Sequence, residues 1–281
     1  MDRRTAVGTL AGMLLTGPKG SRRGPAQPSV PPRPIGIQLY TMRRLLPGNF
    51  DGTLHELAEI GYREVEFAGY FNRTPAAVRH AVTRAGLTAP SAHLDFARLD
   101  DRWERAVADT VEAGHSWAVI AWIPVEWRRT LDDWHRFAER MNTAGALAKQ
   151  AGIQLAYHNH DFEFVPLGGV VPFGILVEET DPALVWFEMD LYWCSRAEQH
   201  PEEWFGRSPG RYRMVHVKDL DRTPEKGMAD PGKGVLDYPA LLKAAGDAGV
   251  QHWFVEHDNP ASPMGTARAG YEYLKKIAAN D

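Results

Sequence analysis

Ligand-type side chains gather in four short stretches of this sequence. They read Tyr157-His158-Asn159-His160-Asp161-Phe162-Glu163, Glu188-Met189-Asp190, His216-Val217-Lys218-Asp219 and Glu256-His257-Asp258. Imidazoles and carboxylates at this density can hold a divalent cation through mixed nitrogen and oxygen donors. The same groups can take up and deliver protons. Each stretch closes a run of apolar, β-rich residues, and side chains alternate along a strand. His158 and His160 therefore share one face, as do Glu188 and Asp190, His216 and Lys218, and Glu256 and Asp258. The opposite faces carry Leu155, Phe187, Val215 and Val217, which suit packing against helices. Of the 11 histidines, His93, His158, His160, His216 and His257 fall at such strand ends. Any one of them could simply cap a loop; three or more on successive strand ends point to a site.

The elements that must position these residues repeat along the chain. Apolar runs lie at Ile35–Leu39, Glu64–Ala68, Ala89–Leu94, Trp117–Trp122, Gln154–His160, Val185–Asp190, Met214–Asp219 and Trp253–His257. Amphipathic stretches separate them. Thr53–Ile60 stops at Gly61, Leu131–Ala151 stops at Gly152, and Tyr238–Ala248 stops at Gly249, each a helix closed by its glycine. Strands alternating with helices imply βαβ units and a parallel sheet. Eight units in this length predict an α/β fold of the (β/α)8, or TIM-barrel, type, built as one domain over residues 35–281. An open doubly wound sheet is the competing architecture, but no G-x-G-x-x-G follows the first run. Hydride-transfer chemistry loses its support with that motif. In a barrel, the C-terminal ends of the strands carry the chemistry.

The strand endings YHNHDFEF, EMDLYW, VHVKD and FVEH, with Gly234 and Asp237-Tyr238-Pro239 before the last helical unit, resemble the sugar isomerase/epimerase (xylose-isomerase-like) superfamily. The resemblance runs from Ile35 to about Ile277. It implies one divalent ion, Mn, Mg, Co or Zn, held by Glu, Asp, His and Glu from the later strands. The last three fall on Asp190, His216 and Glu256. Relatives carry Glu near the end of the fifth strand where this chain has His158; the next carboxylate is Glu163. Glu163 is taken as the first ligand, with His158 or His160 as the alternative. Glu163, Glu256 and His158 are the expected acid/base groups.

His93, His160, Trp193 and Lys218 are expected at the substrate. Each has a plainer reading: His93 as a buried, satisfied histidine, Lys218 as the partner of Asp219 or Glu256, and Trp122 and Trp193 as core aromatics rather than a wall for a sugar ring. Cys194 is expected to be a packed thiol, and one cysteine excludes an intramolecular disulfide framework.

The resemblance implies a small-molecule sugar or keto-sugar substrate and removal of the proton α to a carbonyl through an ene-diolate. Reprotonation gives epimerisation, transfer to the neighbouring carbon gives isomerisation, and loss of a β-substituent gives elimination. Isomerase or epimerase is the leading expectation, with a 3-keto-glycoside lyase or a non-catalytic carbohydrate-binding protein as alternatives; a homo-oligomer is compatible with each.

Composition bears on the remaining classes. The first 34 residues hold six Lys/Arg and one acid, leaving 26 bases against 35 acids and a net charge of −9 for the rest. So acidic a body is ill suited to a phosphate backbone, which argues against a DNA-repair endonuclease of the same fold and against any nucleic-acid partner. No apolar run after residue 35 is long enough to span a membrane. Arg3-Arg4, the mild apolar run Thr5–Thr16 and the Pro/Gly/Ser/Arg-rich segment that follows have the layout of a twin-arginine export signal with a linker. The expectation is a periplasmic or secreted protein, with the cytoplasm as the alternative.

Overall fold

Eight parallel strands close on themselves in the order β1-β10-β7-β6-β5-β4-β3-β2. The computed structural model describes residues 34–279, and the expected leader lies outside them. The barrel strands are β1 (Ile35–Gln38), β2 (Glu64–Ala68), β3 (Thr88–Leu94), β4 (Trp117–Ile120), β5 (Gln154–His158), β6 (Val185–Asp190), β7 (Tyr212–Val217) and β10 (His252–Val255). The short pair β8 (Asp219–Leu220) and β9 (Met228–Ala229) forms a separate antiparallel ribbon beyond β7. Helices α1 (Phe50–Ile60), α2 (Pro75–Arg84), α3 (Trp103–Ala113), α4 (Leu131–Gln150), α5 (Pro172–Glu179), α6 (Leu191–Arg196), α7 (Pro201–Arg207), α8 (Tyr238–Asp247) and α9 (Pro263–Ala278) complete the chain. No helix among the described residues is long and apolar enough to cross a membrane.

The eight expected strands are all present, with shifted ends. β5 stops at His158 rather than His160. There the Asn159 side chain takes over from the backbone ladder: its Oδ1 accepts from Asp190 N at 3.0 Å, and its Nδ2 donates to Asp190 O at 3.4 Å. β7 begins two residues early and ends at Val217, which leaves Lys218 between β7 and the ribbon.

Period-2 alternation divides the strands into two packing surfaces. Leu155, Phe187, Val215 and Val217 are fully buried in the large outer core beneath the helices. Inward-facing Trp117, Val119, Ala156, Met214 and Phe254 form a second, smaller core with Trp186 against it. This inner group is the barrel's floor. Gly36 completes it, because a Cβ there would lie 2.5 Å from Phe254 Cδ1. Filled below, the barrel can offer a cavity only above these residues, where the strands end.

The connections are built to hold that upper rim. Thr130 and Asp133 form a capping box at the start of α4, which satisfies helix donors that would otherwise be orphaned. Asp219 accepts backbone N–H bonds from Leu220, Gly232, Gly234 and Leu236. One carboxylate thus gathers the whole segment after β7. A Cβ on Gly234 would collide with Leu220 O and the Asp219 carboxylate, the physical reason for glycine in that stretch.

Candidate metal centre

The inward residues one layer above the floor are polar. Register sets them side by side: His158 pairs with Glu188, Asp190 with His216, and His216 with Phe254 of the floor. Two groups with metal-ligating geometry result, one of Asp190, His216 and Glu256, the other of His93, His158, Glu188 and His216.

The first group packs its ligating atoms tightly together, with Lys218 Nζ 2.8 Å from both carboxylates. Asp190 Oδ2, His216 Nδ1 and Glu256 Oε2 are buried. His216 Nδ1 and Glu256 Oε2 are 2.7 Å apart, and His158 Nε2 stands 3.8 Å from Asp190 Oδ2. The ligating atoms of Asp190, His216 and Glu256 all lie within 4.8 Å of one another. Two carboxylates and one imidazole, with the His158 imidazole beside them, form a donor set that suits Mn, Co or Zn. The residues fit a divalent ion.

Local structure explains the aim of each donor. Asp190 ends β6 and caps α6, its Oδ1 accepting from Trp193 N at 2.8 Å. The cap fixes the carboxylate and leaves Oδ2 facing the centre. His216 is held from its other end, where Nε2 lies 2.7 Å from Glu66 Oε1 and 3.2 Å from Glu188 Oε2. Glu66 in turn accepts from Gln38 Nε2 at 2.7 Å, and His158 Nδ1 lies 3.2 Å from Glu188 Oε2. Glu66 and Glu188 thus stand behind His216, and Glu188 behind His158, while the other nitrogens of the two rings face Asp190 and Glu256. A carboxylate behind a ligating histidine fixes its tautomer and raises its basicity.

Charge follows the same arrangement. Lys218 is buried with Nζ 2.8 Å from Asp190 Oδ2, Glu256 Oε2 and Asp258 Oδ1. Burial would lower its pKa, but these three carboxylates raise it well above the usual lysine value. Burial likewise acts to raise Glu256, yet Lys218 and His216 hold it well below the carboxylate range. For His93 the carboxylates of Glu66 and Glu188 outweigh burial and push the imidazole up to about 9.

Of the residues expected from the sequence, the structure brings together Asp190, His216, Glu256, His158, His93 and Lys218. His160 and Trp193 stand at the rim, their rings 5.5 Å apart. Both His160 Nδ1 and Trp193 Nε1 are buried without a hydrogen-bond partner. Trp122 is not core; it is 48% exposed, edge-on to His160 at 5.1 Å. Cys194 is a buried free thiol, as expected.

Glu163 stands apart from this cluster. The chain turns after β5 into a short 3-10 segment, Phe162–Phe164. That turn buries the carboxylate, whose Oε1 accepts from Tyr157 Oη at 2.5 Å and whose Oε2 accepts from His160 N at 2.9 Å. Burial pushes its pKa up to about 8 despite both bonds. Glu163 belongs to neither ligating group, while His158, the alternative expected as first ligand, groups with His93, Glu188 and His216. Gln38, Glu66, Glu188 and Asn159 are the site residues that the strand-end reading did not assign. The alternation of Glu64 and Glu66 in β2 was the available signal.

A closed barrel with this polar rim is matched by a known family model, described as the xylose isomerase-like TIM barrel, over residues 54–277. The chain belongs to that family. Among its relatives, the inosose dehydratase of Geobacillus kaustophilus is 24% identical over 269 aligned positions, spanning 81% of this chain and 87% of that protein. A sugar phosphate isomerase/epimerase from Parabacteroides distasonis superposes with a TM-score of 0.76 at 26% identity, covering 89% of this chain and 98% of its own. The IolI protein, solved with a zinc atom bound, superposes at 0.69 with 12% identity over 88% of this chain and 98% of its own. The last likeness speaks for the fold alone. The family resemblance read from the strand endings and the eight-stranded barrel are both borne out.

Proposed function

We propose that this protein is a divalent-metal-dependent lyase acting on a keto-sugar, removing the proton α to the carbonyl and expelling a β-substituent. The observation that carries the reading is the convergence of Asp190 Oδ2, His216 Nδ1 and Glu256 Oε2 in one buried cluster of ligating atoms, with the ammonium of Lys218 ion-paired to both carboxylates. A divalent ion held there supplies Lewis acidity toward a carbonyl oxygen. His158, Asp190, His216 and Glu256 would hold it. The Lys218 ammonium adds fixed positive charge where negative charge develops on the substrate. Glu256, kept ionised, would accept the α-proton. His160 and Trp193 offer buried, unsatisfied polar atoms to the hydroxyls of a polyol, and Trp193 adds an apolar ring face.

Elimination is favoured over epimerisation by the fifth strand. Epimerisation needs a proton acceptor and a donor on opposite faces of one carbon. The carboxylate expected across from Glu256 is Glu163, and it is tied to Tyr157 and the His160 backbone. The dehydratase name of the Geobacillus relative supports the same choice. Isomerase or epimerase is the second reading, favoured by the name of the Parabacteroides structure.

The test is incubation of the metal-loaded protein with an inosose, a keto-hexose and a keto-glycoside in deuterium oxide. Elimination releases the β-substituent and produces an unsaturated ketone absorbing in the ultraviolet. Deuterium incorporation with the substituent retained would favour the second reading, and no reaction with bound metal would remove both. We also propose, from the leader layout alone, that the protein acts outside the cytoplasm. Cell fractionation with the Arg3→Lys/Arg4→Lys double variant tests this, precursor retained in the cytoplasm being the supporting result.

A further inference from the structure

Lys218 already engages the carboxylates that a divalent ion would use. Its Nζ lies 2.8 Å from Asp190 Oδ2 and 2.8 Å from Glu256 Oε2, and both residues belong to the ligating group with His216. A third contact of 2.8 Å runs to Asp258 Oδ1. The lysine side chain is 2% exposed, a burial that this residue tolerates only when its charge is met. Three carboxylates around one ammonium leave two negative charges over, the charge that one divalent ion brings. The charge balance has room for both cations. The two shared oxygens do not, because like charges drawing on the same buried ligands repel strongly.

The fold decides which part of Lys218 can yield. Its backbone carbonyl accepts from Tyr238 Oη. The next residue, Asp219, is fastened through its carboxylate to the N–H groups of Leu220, Gly232, Gly234 and Leu236. The main chain is therefore fixed, and movement is left to a flexible four-carbon stem whose ammonium acts as a point charge. Asp258 gives that charge somewhere to go. Its side chain is 29% exposed, against 0% for Asp190 and 5% for Glu256, so it marks the wet edge of the cage. The Trp193 ring, 5.9 Å from Nζ, keeps an aromatic face beside the cation.

We propose that Lys218 is a built-in counter-cation for the metal centre. In the metal-free protein its ammonium holds Asp190 and Glu256 together against their mutual repulsion. When a divalent ion binds, the ammonium withdraws onto Asp258. Ion binding is then the exchange of one cation for another, and Asp258 is the positioning residue for the one displaced. The inference rests on the metal-centre reading and on no particular substrate.

The test compares wild type, Lys218→Met, Asp258→Asn and the double variant, each stripped of metal and titrated with Zn and Mn against a chromophoric chelator. Lys218→Met removes the competing charge at similar length. It should bind the ions about ten-fold tighter or more, and its metal-free form should melt below metal-free wild type. Asp258→Asn should bind about ten-fold more weakly, and that loss should shrink to about three-fold or less beside Lys218→Met, because Asp258 acts through the lysine. A merely structural pair behaves otherwise: Lys218→Met binds no tighter than wild type, or the Asp258→Asn loss persists undiminished in the double variant. Either result overturns the exchange while the metal centre stands. Failure of every chain to bind Zn or Mn removes the centre and the exchange together. If Lys218→Met does not fold, the wild type decides alone. Reductive methylation mapped by mass spectrometry should label Lys218 faster with the ion bound, and equal rates overturn the proposal.

Discussion

His216 Nε2 and Glu66 Oε1 lie 2.7 Å apart, joining β7 to β2 across the barrel, 150 residues apart in the chain. The contact turns His216 Nδ1 toward Asp190 and Glu256. Replacing Glu66 by Gln keeps the volume and a hydrogen-bonding atom but removes the charge behind the imidazole. Such partners commonly matter 10–100-fold. Metal affinity of Glu66→Gln, measured by competition with a chromophoric chelator, should fall by about that factor, with the far-ultraviolet circular dichroism unchanged.

Metal removal should destabilise the fold. An ion bound only by the native state stabilises it by about 2.7 kcal/mol at a hundred times its Kd, or roughly 5–10 °C in Tm for a domain of this size. Scanning calorimetry of chelated protein titrated with Mn, Co and Zn measures the shift. A melting temperature indifferent to all three would remove the metal centre.

The sequence leaves Glu163 and His158 both open as the first ligand, and substitution separates them. His158→Ala should lose metal on desalting and lose activity with it. Glu163→Gln should retain the ion, because Gln can accept from His160 N and still bond Tyr157 Oη. Elemental analysis of the two variants decides the matter, and the opposite pattern would restore Glu163 as a ligand.

Glu163 also makes a prediction about pH. Its native pKa is raised to about 8 by burial, against about 4.3 for an unfolded glutamate. Between those values the native state holds a proton that the unfolded state has released, so stability from this group falls as pH rises through the window. Glu163→Gln resembles the protonated form at every pH. The melting temperature of the variant relative to wild type should therefore climb from about pH 5 to about pH 8 and then level.

The floor offers a test of packing. Gly36→Ala places a methyl against the Phe254 ring, and overpacking of this kind costs about 1–3 kcal/mol. Urea denaturation should show a lower midpoint with an unchanged slope.

Much of this architecture could be read from the chain because barrel strands announce themselves. Val185–Asp190 and Met214–Asp219 are apolar on the outer face and carry ligand-type side chains at their ends. Asp190, His216 and Glu256 were legible for that reason. Glu66 was not, since Glu64-Val65-Glu66-Phe67 has the alternation of a strand with one wet face, and its partner His216 becomes a neighbour only when the barrel closes. Glu163 shows a different limit. Its position after β5 was visible, but the 3-10 turn that swings it to Tyr157 depends on two bonds that no spacing encodes.

The floor of Trp117, Val119, Ala156, Met214 and Phe254 has one more consequence. A barrel sealed at that end is a blind alley with a single door. Whatever reacts above the floor must arrive and depart through the same opening, past Trp122 and Tyr40. Traffic is then ordered by position: anything held near the mouth has to leave before what lies at the bottom can follow, and a product at the bottom competes directly with the next substrate for the way in.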